Sequence, residues 1–104
     1  MSEAYIYHIC TSTFWETQSL SDVYIHDSLD NEGFIHCSHE NQLKGVLDRY
    51  FQNQQNLIIL TLDPSRLIPE LKYELAPIGE LFPHIFGPIN KDAIISTKKI
   101  RTTV

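Results

Sequence analysis

Three histidine-bearing apolar segments hold the residues best suited to chemistry: Tyr7-His8-Ile9, Glu32-Gly33-Phe34-Ile35-His36-Cys37-Ser38 and Phe82-Pro83-His84-Ile85-Phe86. Histidine can hold or release a proton near neutral pH, because its ordinary pKa lies there. The middle segment is the most informative. It runs an extended stretch into the start of a helix, where free N–H groups and the positive end of the helix dipole attract anions. Ser38 is expected to cap that helix. Cys37 beside His36 suggests a nucleophile, since an imidazolium and a helix N-terminus both lower a thiol's pKa. Strand alternation sends the two side chains to opposite faces, so a buried thiol is the expectation. His8, Cys10, His36, His39 and His84 are metal-ligand types, but no close pair has a standard zinc spacing, and no metal is expected. Each histidine also has a plainer reading, with His8 as a hydrogen-bonded core residue, His36 packed beneath the helix and His84 as the pin of a stiff loop. His26 and His39 read as surface residues, and Glu32 as a turn residue or helix-end partner. Arg49 reads as solvated or as a phosphate contact.

The elements that must position these residues follow from periodicity. Tyr5 to Cys10 alternates as a strand, with Ile6, His8 and Cys10 on one face. Thr11 or Ser12 caps a short helix through Phe14, Trp15 and Gln18. Val23 to Ile25 is a brief extended piece, and Asp30-Asn31-Glu32-Gly33 is turn chemistry. His39 to Gln52 is expected as the main helix, because Leu43, Val46, Leu47, Tyr50 and Phe51 recur at helical spacing, with Tyr50 and Phe51 expected in the core. Leu57 to Leu62 is an apolar, branched-rich run typical of a central strand. Tyr73 to Ala76 is a further strand, Phe82 to Asn90 a stiff loop fixed by two prolines, and Ala93 to Ile100 a final strand. Strands outnumber helices, and the two principal helices come early. This pattern predicts an α+β fold with a mixed or mainly antiparallel sheet.

Composition narrows the classes further. A chain of 104 residues suits one domain, here residues 1–104. The formal net charge is −5 and no lysine–arginine cluster occurs, which argues against broad nucleic-acid binding and leaves room for a small ligand held by local donors. The apolar runs are too short for a bilayer, and no membrane partner is expected. The start of the sequence has no signal-peptide pattern, so a cytoplasmic protein with Cys10 and Cys37 as reduced thiols is expected.

The three segments, with Arg49-Tyr50-Phe51, Tyr73-Glu74 and the continuation Gly87-Pro88-Ile89-Asn90, resemble domain-of-unknown-function family 952, a bacterial group of small proteins. That family is grouped by fold with the ADP-ribosyltransferases. The resemblance implies a small ADP-ribosyltransferase-like domain, a split, mainly antiparallel sheet, and a cleft for NAD or another ADP-ribosyl compound. It implies NAD as a substrate. By the same resemblance, His8 on the first strand serves the ribose or diphosphate, His36 and Ser38 fill the second position, and Glu74 is the anion near the reacting carbon. Tyr7, Phe34, Tyr73 and Phe86 offer aromatic surface, and His84 stands at the mouth. Because one fold carries many functions, a non-catalytic small-ligand-binding module and a partner-binding domain stand as the alternatives.

Overall fold

The protein, described here from a computed structural model over residues 4–100, is built on antiparallel strands and few helices. Strand β1 (Ile6–Thr11) pairs with β4 (Leu57–Leu62), and β4 pairs with β8 (Ile94–Ile100), giving a first sheet in the order β1-β4-β8. The second sheet has the order β3-β6-β5, from β3 (Ile35–His36), β5 (Leu71–Leu75) and β6 (Leu81–Ile85). A short ribbon of β2 (Val23–Tyr24) and β7 (Ile89–Asn90) completes the set. The two larger sheets are joined where Ser38 exchanges both backbone hydrogen bonds with Tyr7, at 2.7 and 2.8 Å.

β4 is central because Leu57, Ile58, Leu60 and Leu62 are all buried, and a strand covered on both faces must be apolar throughout. Ile6 and Cys10 from β1 join Ile58, Leu60 and Leu62 in the core, with Tyr24, Ile35, Cys37, Ile85 and Ile89 from the other side. Helix α1 (Ser12–Thr17) begins at Thr11, whose Oγ1 accepts from the Phe14 N–H at 3.1 Å. That satisfies one of the donors a helix start leaves free.

The structure corrects four local readings. The Phe82–Asn90 segment is not a loop: Leu81–Ile85 is the middle strand of the second sheet. Proline is tolerated there because Pro83 lies one pair beyond His36–His84, where β3 ends; its carbonyl accepts from the Cys37 N–H at 3.0 Å. Asp30–Gly33 is not a free turn but the end of a one-turn helix, α2 (Ser28–Glu32), closed by Gly33 at φ +89°. The main helix starts later than expected. A 3-10 turn at Glu40–Gln42 precedes α3 (Leu43–Tyr50), and the capping contact runs from the His39 N–H to Gln42 Oε1 at 2.9 Å, so Ser38 is not the cap. Finally, the apolar face of α3 is not core, since none of the helix's residues is buried. No helix among the described residues is long and apolar enough to cross a membrane.

Candidate functional site

A cleft of about 950 Å³ opens where the two larger sheets part. Its walls come from β1 (Tyr7 to Thr11), from β3 and its flanks (Glu32, Phe34, His36 to Ser38) and from the β5–β6 hairpin (Glu74 to Pro77, Phe82, His84). Val46, Tyr50 and Phe51 close one side. Part of the apolar stripe, Val46, Tyr50 and Phe51, therefore faces the cleft, which accounts for periodicity without burial there.

Two histidine–carboxylate pairs stand on the second sheet. His36 and His84 are direct cross-strand partners, so both side chains lie on one face, with ring centroids 5.5 Å apart. Glu32 Oε2 accepts from His36 Nε2–H at 2.8 Å, and Glu74 Oε1 accepts from His84 Nδ1–H at 2.8 Å. Each carboxylate fixes its partner's tautomer and leaves the other ring nitrogen, Nδ1 of His36 and Nε2 of His84, to take or give a proton. Phe34 stacks on His84 at 3.9 Å and 17° and holds that ring in place.

His8 is arranged differently. It is 3 % exposed, and both ring nitrogens are engaged: Nδ1–H donates to the His36 carbonyl at 2.6 Å, and Nε2 accepts from the Tyr24 hydroxyl at 2.8 Å. The carbonyl cannot donate, so the neutral Nδ1–H tautomer is assigned. Burial pushes its pKa down to about 3, against the raising effect of the His36 carbonyl. Its ring thus spans the parting of the sheets as a neutral strut. Tyr24 is fully buried, and its hydroxyl also bonds to the Cys10 thiol; burial raises the pKa of both groups. Cys37 is buried as well, and burial raises its thiol pKa, so neither free cysteine is an activated nucleophile.

The structure brings His8, Tyr7, His36, Ser38, Glu74 and His84 to one cleft. Ser38 is only 5 % exposed, and its hydroxyl makes no hydrogen bond among the described residues. Phe86 lies outside the lining, packed on Phe34 at 5.6 Å with Lys72 Nζ 5.1 Å from its ring centre. Tyr73 points elsewhere and stacks on His39 at 5.6 Å. His26 is not the surface residue expected. It lines the cleft against His8 and Phe14, and its Nδ1 accepts from the Ser28 N–H at 3.1 Å. Burial lowers its pKa, with Asp27 acting the other way. Reading Ser28-Leu29-Asp30-Asn31-Glu32-Gly33 as one helical turn ending on glycine would have placed His26 at a helix start and marked it. Glu32, expected at a turn or as a helix-end partner, is the last residue of α2 and the partner of His36. Among the described residues, no three His, Cys, Asp or Glu side chains are grouped as a metal would require.

Fold and site together define a small α+β protein whose parted antiparallel sheets carry a cleft with two histidine–carboxylate pairs. The chain belongs to the family described as Protein of unknown function (DUF952), whose model matches residues 9–97. It is similar to the crystal structure of protein CC0527 from Caulobacter crescentus, with a TM-score of 0.83 and 25% identity over 92% of this chain and 85% of that one. The solution structure of CC0527 gives a TM-score of 0.82 and 24% identity over 95% and 86% of the two chains. No curated protein matches.

Proposed function

We propose that the cleft binds NAD or another ADP-ribosyl compound and cleaves its bond to nicotinamide, as a cytoplasmic protein with an ADP-ribosyltransferase-like fold. The observation that carries this reading is the Glu74–His84 pair, 2.8 Å apart on the cleft face and stacked beneath Phe34. Cleaving the nicotinamide–ribose bond sends the bonding electrons to the pyridinium nitrogen and leaves positive charge on the ribose carbon. A carboxylate fixed nearby stabilises that charge more in the transition state than in the ground state. The free Nε2 of His84 is placed to accept the proton that an attacking hydroxyl or water loses. Aromatic surface from Phe34, Phe14 and Phe51 suits a flat ring, and the Ser38 hydroxyl suits a ribose oxygen. His8 acts as a positioning residue: its N–H holds the His36 carbonyl, and so the strand that bears the first pair.

The test is nicotinamide release from NAD by the purified protein, with water and simple acceptors. Glu74→Gln is expected to lower turnover ~100-fold while changing affinity by less than ~3-fold. Equal release by the variant would remove Glu74 from the mechanism. Saturable binding with no release from folded wild type would favour the non-catalytic module, a reading that the fully satisfied ring of His8 supports.

A further inference from the structure

Resting on that proposed function and narrowing its ligand, we infer that the cleft selects a cationic N-glycoside, a pyridinium riboside, through its ring and ribose, without a requirement for phosphate. The charge of the walls carries the inference. Among the described residues, the lining side chains include two carboxylates, Glu32 and Glu74, and no lysine or arginine. The histidines do not reverse that sign. His8 has both nitrogens engaged in its neutral form. His26 accepts the Ser28 N–H through Nδ1, which requires that nitrogen to be unprotonated. His36 and His84 each donate to a carboxylate, so each pair keeps one negative charge while its imidazole carries a single proton.

Lys72 and Arg49 are not part of this lining. Lys72 sits over Phe86, and Arg49 sits over the outer ring of Tyr50, 5.7 Å from its centre. A pyridinium held in the cleft is attracted by both pairs, and Phe34, Phe14 and Phe51 in the lining offer aromatic surface. A diphosphate in the same space is repelled by both and meets no lysine or arginine among the described lining residues. In a dinucleotide, the phosphates therefore lie beyond the lining, in solvent or toward Arg49.

The experiment is calorimetric titration of the full chain with nicotinamide riboside, NAD and ADP-ribose at about pH 8, above the ordinary histidine range, each at low and high salt. Nicotinamide riboside is expected to bind at least as tightly as NAD and at least ~10-fold more tightly than ADP-ribose. Its affinity should fall as salt rises. Glu32→Gln and Glu74→Gln should each narrow the gap to ADP-ribose. If NAD and ADP-ribose bind alike and the riboside does not, this inference is overturned and the proposed ligand class stands. Riboside binding indifferent to salt and to both variants would overturn it too. Binding of none of the three by folded protein overturns the inference and the proposed function together.

Discussion

Replacing His8 by leucine isolates the neutral strut and makes its contribution visible as a function of pH. In the variant, the buried Tyr24 hydroxyl loses its acceptor and the His36 carbonyl loses its donor. Each buried group left short of a partner costs about 1–3 kcal/mol, partly offset by the leucine's apolar contacts and by the bond Tyr24 keeps to Cys10, so a loss of about 3 kcal/mol is expected at neutral pH. The pH dependence follows from the lowered pKa of His8, about 3 in the folded protein against an ordinary 6.5. Between those values the unfolded chain binds a proton that the folded chain refuses, so acid favours unfolding. The stabilisation is complete above about pH 6.5 and is lost as the pH falls from there toward 3, at about 1.4 kcal/mol per unit. By about pH 4.5 the wild type has lost roughly 2.7 kcal/mol that the variant never had, and the two stabilities nearly meet. His26 and Asp63 also have lowered pKa values and weaken both proteins in acid, so the difference between the curves reports His8. The assay is urea unfolding at intervals between about pH 7.5 and 4.5, followed by the fluorescence of Trp15, which lies 5.8 Å from Tyr24. Parallel curves for wild type and His8→Leu would mean that His8 takes its proton without unfolding, and would refute the strut.

Two further outcomes follow from the elements around the cleft. Gly33→Ala should lower stability by about 1 kcal/mol, a drop in Tm of about 5 °C in thermal unfolding, because φ there is +89° while no atom stands within 4 Å of the added methyl; an unchanged Tm would show that the turn rearranges. Cys10 and Cys37 should resist a thiol reagent in the native protein at about pH 8 and react fully in denaturant, since burial raises both thiols. Rapid native labelling of either would contradict its place in the core.

What the sequence makes legible depends on how far each element is decided locally. β4 is plain because Leu57–Leu62 is apolar at nearly every position, and α1 because Thr11 stands one residue before it with a hydroxyl to offer. β6 is hidden because Pro83 argues against a strand, and only the end of the β3 ladder, set by a segment far off in the chain, makes room for it. α2 is too short for a period to emerge. For α3 the period was readable but its meaning was not: a stripe that lines a cleft looks the same in sequence as a stripe that packs a core. The histidine segments are visible as residues, whereas the partners that define each ring come from elsewhere. Glu74 meets His84 through the β5–β6 register, and Tyr24 reaches His8 from a strand of two residues.

The hand-over at Cys37 and Ser38 has a consequence for how the chain acquires its shape. Cys37 donates to Pro83 in one sheet, and Ser38, the next residue, pairs with Tyr7 in the other. Apart from the β5–β6 hairpin, the sheet pairings join remote positions, Ile6 with Leu62, Ile35 with Ile85 and Leu57 with Ile100. Contact order is accordingly high, and loop-closure entropy must be met before those pairings reward it. A nascent chain still lacking β6 has no partner for β3, so neither histidine–carboxylate pair has its wall. The cleft is thus among the last features to form during synthesis, and a ligand that fits it can stabilise only the finished fold.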